Sequence, residues 1–162
     1  MERPSRPTTS DLQSVFYSDF TNGFSFHPIT GNLTRLTNER SVKQALTNLL
    51  LTNTMERIYQ PLMGPDVYRI LFETIIDNTD KFLIREKIVS NIERYEPRVE
   101  LLNVELLTEE DIGNVVNSAT GALLTEQDFR SGSGNSLIVN IVFRIINTNE
   151  QLSLNVLLER NR

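Results

Sequence analysis

An α+β fold, with helices first and a small, mainly antiparallel sheet after them, follows from three features of this 162-residue sequence. Apolar residues recur at helical spacing between Ser41 and Tyr95. They alternate at strand spacing from Leu102 onward. The last two alternating runs are separated by Asn147-Thr148-Asn149-Glu150, which has the composition of a hairpin turn. Three amphipathic helices packed on a sheet that ends in a C-terminal hairpin accommodate all three features.

Residues 1–11 hold Pro4, Ser5, Pro7, Thr8, Thr9 and Ser10 with almost nothing apolar, which predicts a flexible N-terminal arm before a single domain over 12–162. Phe16, Tyr17, Phe20, Phe24 and Phe26 then follow without a helical or strand period. They read either as an irregular segment folded over the core or as a docking arm for a neighbouring subunit. Thr30-Gly31-Asn32 is turn chemistry between two short extended pieces, so a small hairpin is expected, with His27 beside Pro28 on the surface.

Ser41 and Gln44 have the spacing of a capping box. Val42, Ala45, Leu46, Leu49 and Leu50 form one stripe of the first helix, which should stop near Asn53. Pro61-Leu62-Met63-Gly64-Pro65 is a break. Asp66 is placed to cap a second helix with Val67, Ile70, Leu71 and Ile75 on one face. Thr79 is placed to cap a third, with Ile84, Ile88, Ile92 and Tyr95 as its stripe, widened by Phe82 and Val89. Pro97 disfavours helical geometry at Glu96, so that helix ends there.

Leu102, Val104 and Leu106 alternate with Asn103 and Glu105 in a first core strand. Residues 137–146 set Leu137, Val139, Ile141, Phe143 and Ile145 on one face, and Leu152, Leu154, Val156 and Leu158 do the same in the last run. The polar stretch 108–135 between them ends in Ser131-Gly132-Ser133-Gly134, and a short helix is expected over 120–129.

Composition removes several kinds of function. Lys plus Arg number 16 and Asp plus Glu 21, for a net charge of −5. That balance opposes a general nucleic-acid binder and a polybasic membrane-surface protein. With no cysteine and one histidine, a thiolate or multi-histidine metal site is excluded, and no cofactor is called for. No apolar run is long enough for a transmembrane helix, and the N-terminus lacks the apolar stretch of a signal peptide, so the chain is expected to be made and kept in a cytoplasm or to join something assembled there. Phosphate-binding glycine loops and the nucleophile elbow are absent from the sequence, and no catalytic residue is assigned.

Paired carboxylates are the one enzymatic route left open, among Glu73, Glu93, Glu96, Glu109, Glu110 and Asp111. Glu109-Glu110-Asp111 reads as a solvated acidic loop. More informative is Glu96-Pro97-Arg98, which sets opposite charges on either side of a rigid bend between the longest helix and the first core strand. It is either an internal clamp on that corner or a clamp on a partner's chain. The terminal hairpin carries a second indication: its edge either accepts a strand from another chain or lies under the N-terminal arm.

Arg94-Tyr95-Glu96-Pro97-Arg98-Val99, in this helix-to-strand setting, resembles the Tyr-Glu-Pro-Arg signature of the small baseplate wedge proteins of contractile-tailed bacteriophages, also called sheath initiators. Tyr17-Ser18-Asp19, the run from Ser41 to Leu50, Pro61-Leu62-Met63-Gly64 with Leu71-Phe72-Glu73, and the run from Val142 to Asn147 add to the resemblance, which spans roughly residues 16–160. Relatives occur in type VI secretion baseplates, and some members carry a historical label as lysozymes. The resemblance implies a non-enzymatic structural component of a virion tail baseplate, assembled in the host cytoplasm, with a sheet like the sheath's strand-exchange domain. It implies that Glu96, Pro97 and Arg98 hold the wedge core. It also implies that the sheet, through Leu137, Val139, Ile141, Phe143, Ile145, Leu152, Leu154, Val156 and Leu158, takes strands from the first sheath ring. The implied partners are baseplate wedge proteins, the tail sheath subunit and tail tube or hub proteins, with no nucleic acid and no membrane. A peptidoglycan-cleaving lysozyme and the equivalent part of a secretion baseplate are the alternatives. The segment 108–135 and the Pro-rich arm are poorly matched by the family.

Overall fold

The structure, a computed structural model, describes residues 14–72, 78–108 and 136–159, with Asp111, Gly121, Leu123 and Thr125. The chain divides into two compact units, Met1–Ser41 and Val42–Arg162.

In the first unit, β1 (Ser18–Phe20) pairs antiparallel with β2 (Arg35–Thr37) in the register Ser18↔Thr37. The expected small hairpin is the tip of this longer one. Phe26 bridges Leu33, and the turn is closed by the Gly31 amide donating to the His27 carbonyl at 2.9 Å, with Gly31 at φ 67°. Glycine takes that left-handed backbone without the Cβ penalty. Asn38 anchors the base: its Oδ1 accepts from the Phe16 and Tyr17 amides at 2.9 and 3.3 Å, and its Nδ2 donates to the Ser14 carbonyl at 2.9 Å. The aromatic segment is thus partly strand rather than irregular throughout. Phe16, Phe20, Phe24 and Phe26 are all exposed.

α1 (Glu39–Leu51) begins two residues before the expected cap. Ser41 therefore lies inside the first turn, buried, with an Oγ that has no partner among the described residues, and the expected capping box does not form. The predicted stripe is otherwise present: Val42, Leu46, Leu49 and Leu50 are buried and Ala45 is half-buried. α2 is only Val67–Ile70. Its Val67 and the following Leu71 are buried as expected; Ile75 lies outside the described residues. α3 (Asn78–Tyr95) buries Ile84, Ile88 and Ile92. Phe82, expected to widen that stripe, is exposed, while Val89 is half-buried.

Asp66 precedes α2 but does not cap it. Its backbone is left-handed (φ 56°), and its carboxylate turns away to Thr54, accepting from the amide at 2.6 Å and from the hydroxyl at 2.5 Å. This clasp closes the base of a loop over residues 53–64. The Gly64 amide donates to Asn91 Oδ1 on α3 at 2.9 Å, tying the loop's far end down. Gly64 has φ 113°, and a Cβ there would stand 2.2 Å from the Thr52 carbonyl oxygen.

β3 (Val99–Thr108), β4 (Ser136–Ile145) and β5 (Gln151–Glu159) form one antiparallel sheet in the order β3-β4-β5. The turn at residues 146–150 is the expected hairpin, with Asn149 at φ 55°. Leu137, Val139, Ile141, Phe143 and Ile145 are fully buried, as the alternation predicts. The first strand departs from its pattern. A register shift between Leu101 and Asn103 makes Leu102 a bulge, 40% exposed, while Val104 stays in the core. One extra residue flips the phase of what precedes it, so Val99 and Leu101 share the inward face with Val104 and Leu106. The short helix expected over 120–129 lies outside the described residues, apart from Gly121, Leu123 and Thr125.

Gly64→Ala should destabilise the fold by about 2–3 kcal/mol, since strained φ and backbone contact act together. Urea unfolding should give a lower midpoint with an unchanged slope.

Candidate functional site

Two features are candidates: the Glu96-Pro97-Arg98 corner and the terminal sheet. At the corner, α3 ends at Tyr95 and the Glu96 amide still donates to the Ile92 carbonyl at 2.8 Å. Pro97 turns the chain, and Val99 opens β3. Arg98 closes a two-pronged contact on Glu96, Nε to Oε1 at 2.5 Å and Nη2 to Oε2 at 2.6 Å. The Glu96 side chain is 7% exposed and that of Arg98 29%. The planar fork of the guanidinium matches the two oxygens of this buried carboxylate. Of the two sequence readings, the internal clamp is present in the chain's own geometry. The Arg98 carbonyl also accepts from the Ile146 amide at 3.1 Å, which fixes the corner to the end of β4.

The sheet has two unlike edges. The Ile145 amide donates to the Glu150 carbonyl at 3.0 Å, so Ile145 and Glu150 are a hydrogen-bonded pair. In an antiparallel ladder such pairs alternate with pairs whose backbone groups point outward. Continuing the register, Leu152, Leu154, Val156 and Leu158 bond to β4, while Gln151, Ser153, Asn155, Leu157 and Glu159 turn their amides and carbonyls to the outer edge. On β3 the same count turns Val104, Leu106 and Thr108 outward. Two of these groups are engaged. Arg85 Nε donates to the Val104 carbonyl at 2.9 Å, and the Thr108 amide donates to Asp111 Oδ2 at 2.8 Å. No strand pairs with the outer edge of β5 among the described residues.

The predicted sheet residues fall accordingly. Leu137, Val139, Ile141, Phe143 and Ile145 sit on the central strand, with both edges paired and side chains in the core. Val156 and Leu158 are buried and Leu152 and Leu154 half-buried, on the one strand with an open edge. The edge groups that sequence reasoning did not single out are those of the alternate residues, from Gln151 to Glu159. The hairpin register identifies them, and that register needs the turn to be placed to the residue.

The remaining carboxylates are engaged in other ways. Asp111, expected in a solvated acidic loop, is instead ion-paired with Lys81 at 2.9 Å and also accepts from the Thr108 hydroxyl; Glu109 and Glu110 lie outside the described residues. Burial raises the Asp111 pKa, but the Thr108 amide, Lys81 and the Thr108 hydroxyl outweigh it, and the net direction is down. Asp66 behaves alike: burial raises its pKa, the Thr54 hydroxyl and amide with Lys87 and Arg69 outweigh it, and the net direction is down. Glu93 is exposed, and Glu73 is outside the described residues. No group of three or more potential metal-ligating side chains occurs among the described residues.

The family model described as baseplate wedge protein gp25 matches residues 37–127. No curated protein matches the chain. Among solved structures, the chain is similar to a crystal structure of a candidate tail lysozyme from Geobacter sulfurreducens, with TM-score 0.54 and 22% identity over 76% of this chain and 92% of that one. It is also similar to a chain of the anti-feeding prophage baseplate, with TM-score 0.57 and 22% identity over 81% of this chain and 86% of that one.

Arg98→Ala should cost about 2–3 kcal/mol, below the usual figure for a stranded buried charge because Arg98 is partly solvated. Adding Glu96→Gln should recover part of the loss, and a double-mutant cycle on urea unfolding measures the coupling. Asp66→Asn tests the clasp, since Asn tolerates the same backbone. The folded pKa of Asp66 is lowered, so its contribution is complete above the ordinary carboxylate value and lost as pH falls through the folded one. The stability gap between wild type and variant should hold at neutral pH and close below about pH 4.

Proposed function

The chain belongs to the baseplate wedge protein gp25 family, and from that premise we propose that it is a structural part of a contractile-tail baseplate that joins the wedge to the sheath and seeds the first sheath ring by accepting a strand on β5. One observation carries this reading: on the sheet's β3 edge Arg85 takes the Val104 carbonyl and Asp111 the Thr108 amide, whereas no strand pairs with the β5 edge among the described residues. An open edge is a row of unpaired donors and acceptors, and an incoming strand gains one ladder of hydrogen bonds at once. In this reading the tail sheath subunit supplies that strand, and the other wedge proteins gather at the Glu96-Pro97-Arg98 corner. The location follows: a tail baseplate, assembled in the host cytoplasm.

In this reading the role is non-catalytic. A glycosidase acid needs a raised pKa, and of the candidate carboxylates Asp111 is shifted the other way. Glu96, the most buried carboxylate of the corner, is committed to Arg98.

Asn155→Pro tests the strand-accepting edge. It removes an outward amide while leaving the β4–β5 ladder intact, and proline is tolerated at such edge positions. The variant should keep its thermal midpoint within a few degrees and enter baseplates, but electron micrographs should show tails without sheath. Leu154→Pro breaks the internal ladder and should unfold the hairpin. Sheathed tails at wild-type frequency with Asn155→Pro would overturn strand addition on β5.

A further inference from the structure

Side chains, not a strand, meet the outer edge of β3 at two points. The bulge at Leu102 interrupts the strand, and beyond it Val104, Leu106 and Thr108 turn their backbone outward. At one end of this run Arg85 Nε donates to the Val104 carbonyl at 2.9 Å. At the other end Asp111 Oδ2 accepts from the Thr108 amide at 2.8 Å and from the Thr108 hydroxyl at 2.9 Å. Lys81 joins that end, with Nζ 2.9 Å from Asp111 Oδ2 and 3.0 Å from Thr108 Oγ1. Lys81 and Arg85 are one turn apart on α3, so they share a face of the helix, and that face runs along the edge. Leu106, between the two points, keeps both its outward amide and its outward carbonyl without a partner among the described residues.

This run is self-complementary. Turned about a twofold axis at Leu106, a second copy would set Val104 against Thr108, Leu106 against Leu106 and Thr108 against Val104 in one antiparallel ladder. We propose that Arg85 and the Lys81–Asp111 pair are a lock against that pairing, which closes β3 to a second copy of this chain and directs growth of the sheet to β5. An incoming strand would have to expel Arg85 from Val104 and Asp111 from Thr108, exchanging charge-assisted hydrogen bonds for neutral ones. It would also press on Lys81, Arg85, Glu105 and Asp111, which line a groove of about 380 Å³ between α3 and this edge, and charged side chains at an edge oppose pairing. With the lock in place, the one complete pair left to a partner is at Leu106, and its two hydrogen bonds do not offset the freedom lost on association. That the strand taken on β5 comes from the sheath rests on the reading above; the lock on β3 does not.

The test uses the free chain carrying Asn155→Pro, so that β5 cannot pair, and sedimentation velocity should show it as a monomer. Arg85→Met removes the donor and keeps the packing of the stem. Lys81→Met with Asp111→Ala removes the ion pair whole, so that neither charge is stranded. With these three changes added, the chain should dimerise as its concentration is raised. The sequence has no cysteine, so Leu106→Cys reports the register. In the twofold ladder its two copies stand about 5.5 Å apart at Cα, within disulfide reach. Mild oxidation should then trap the dimer at least tenfold faster without the lock than with it. A folded, monomeric unlocked chain, a dimer that Leu106→Cys does not trap, or equal trapping with and without the lock would overturn the proposal. Arg85→Met alone strands no buried charge and decides the matter if the combined variant does not fold. It frees Val104 and Leu106 together and should raise the trapping rate at least threefold; an unchanged rate would overturn the lock equally.

Discussion

The corner at Glu96, Pro97 and Arg98 is the constraint on which the sheet depends. Pro97 stops the helix, but a stop leaves the exit direction loose. The fork of Arg98 on Glu96 removes that freedom, because two parallel hydrogen bonds fix a plane as well as a distance. The carbonyl of the same arginine then takes the amide of Ile146. One residue thereby sets where β3 leaves α3 and where β4 ends beside it. The register Val99↔Ile145 follows from that, and through the hairpin so does the register of β5.

Register matters here because the two sheet edges have different fates. A slip of one residue exchanges inward and outward backbone groups along a strand. On β3 it would carry the Val104 carbonyl away from Arg85. On β5 it would exchange the edge set at Ser153 and Asn155 for Leu154 and Val156, whose side chains belong to the core. The buried ion pair is therefore better understood as a device for geometry than as a source of net stability, since pairs of this kind often roughly break even against their desolvation.

Much of this was legible in the sequence, and the exceptions have identifiable causes. The stripes of α1 and α3, the break before α2, the exit at Pro97 and the three core strands all come from periodicity and from proline, both local signals. Ser41 misled because a capping box is a spacing, and the spacing fits equally well inside a helix that starts at Glu39. Asp66 misled because its carboxylate had a better offer across the loop, from two donors on Thr54. The bulge at Leu102 is invisible to a period-two pattern that continues smoothly through it. The β1–β2 pair is too short to register, and it depends on Asn38 reaching back to Ser14, Phe16 and Tyr17. The corner was visible as a motif, but whether Arg98 closes on Glu96 or waits for a partner is a matter of distance, which sequence does not contain.

An open strand edge is a hazard while it is unpaired, because the first strand it meets is that of another copy of the same chain. The composition of β5 reduces that hazard. Of the residues whose backbone faces outward, Gln151, Ser153 and Asn155 are polar and Glu159 is charged, with Leu157 the exception. A net charge of −5 adds mutual repulsion between copies. Backbone hydrogen bonds are indifferent to side chains, so these residues weaken self-pairing without removing the ability to accept a strand. Under the proposed strand addition, what distinguishes the right partner must lie beyond the ladder itself, in contacts that position the two proteins before the strand is taken up. A rigid attachment to neighbouring proteins would supply that positioning, because it would turn strand capture into a local event at high effective concentration.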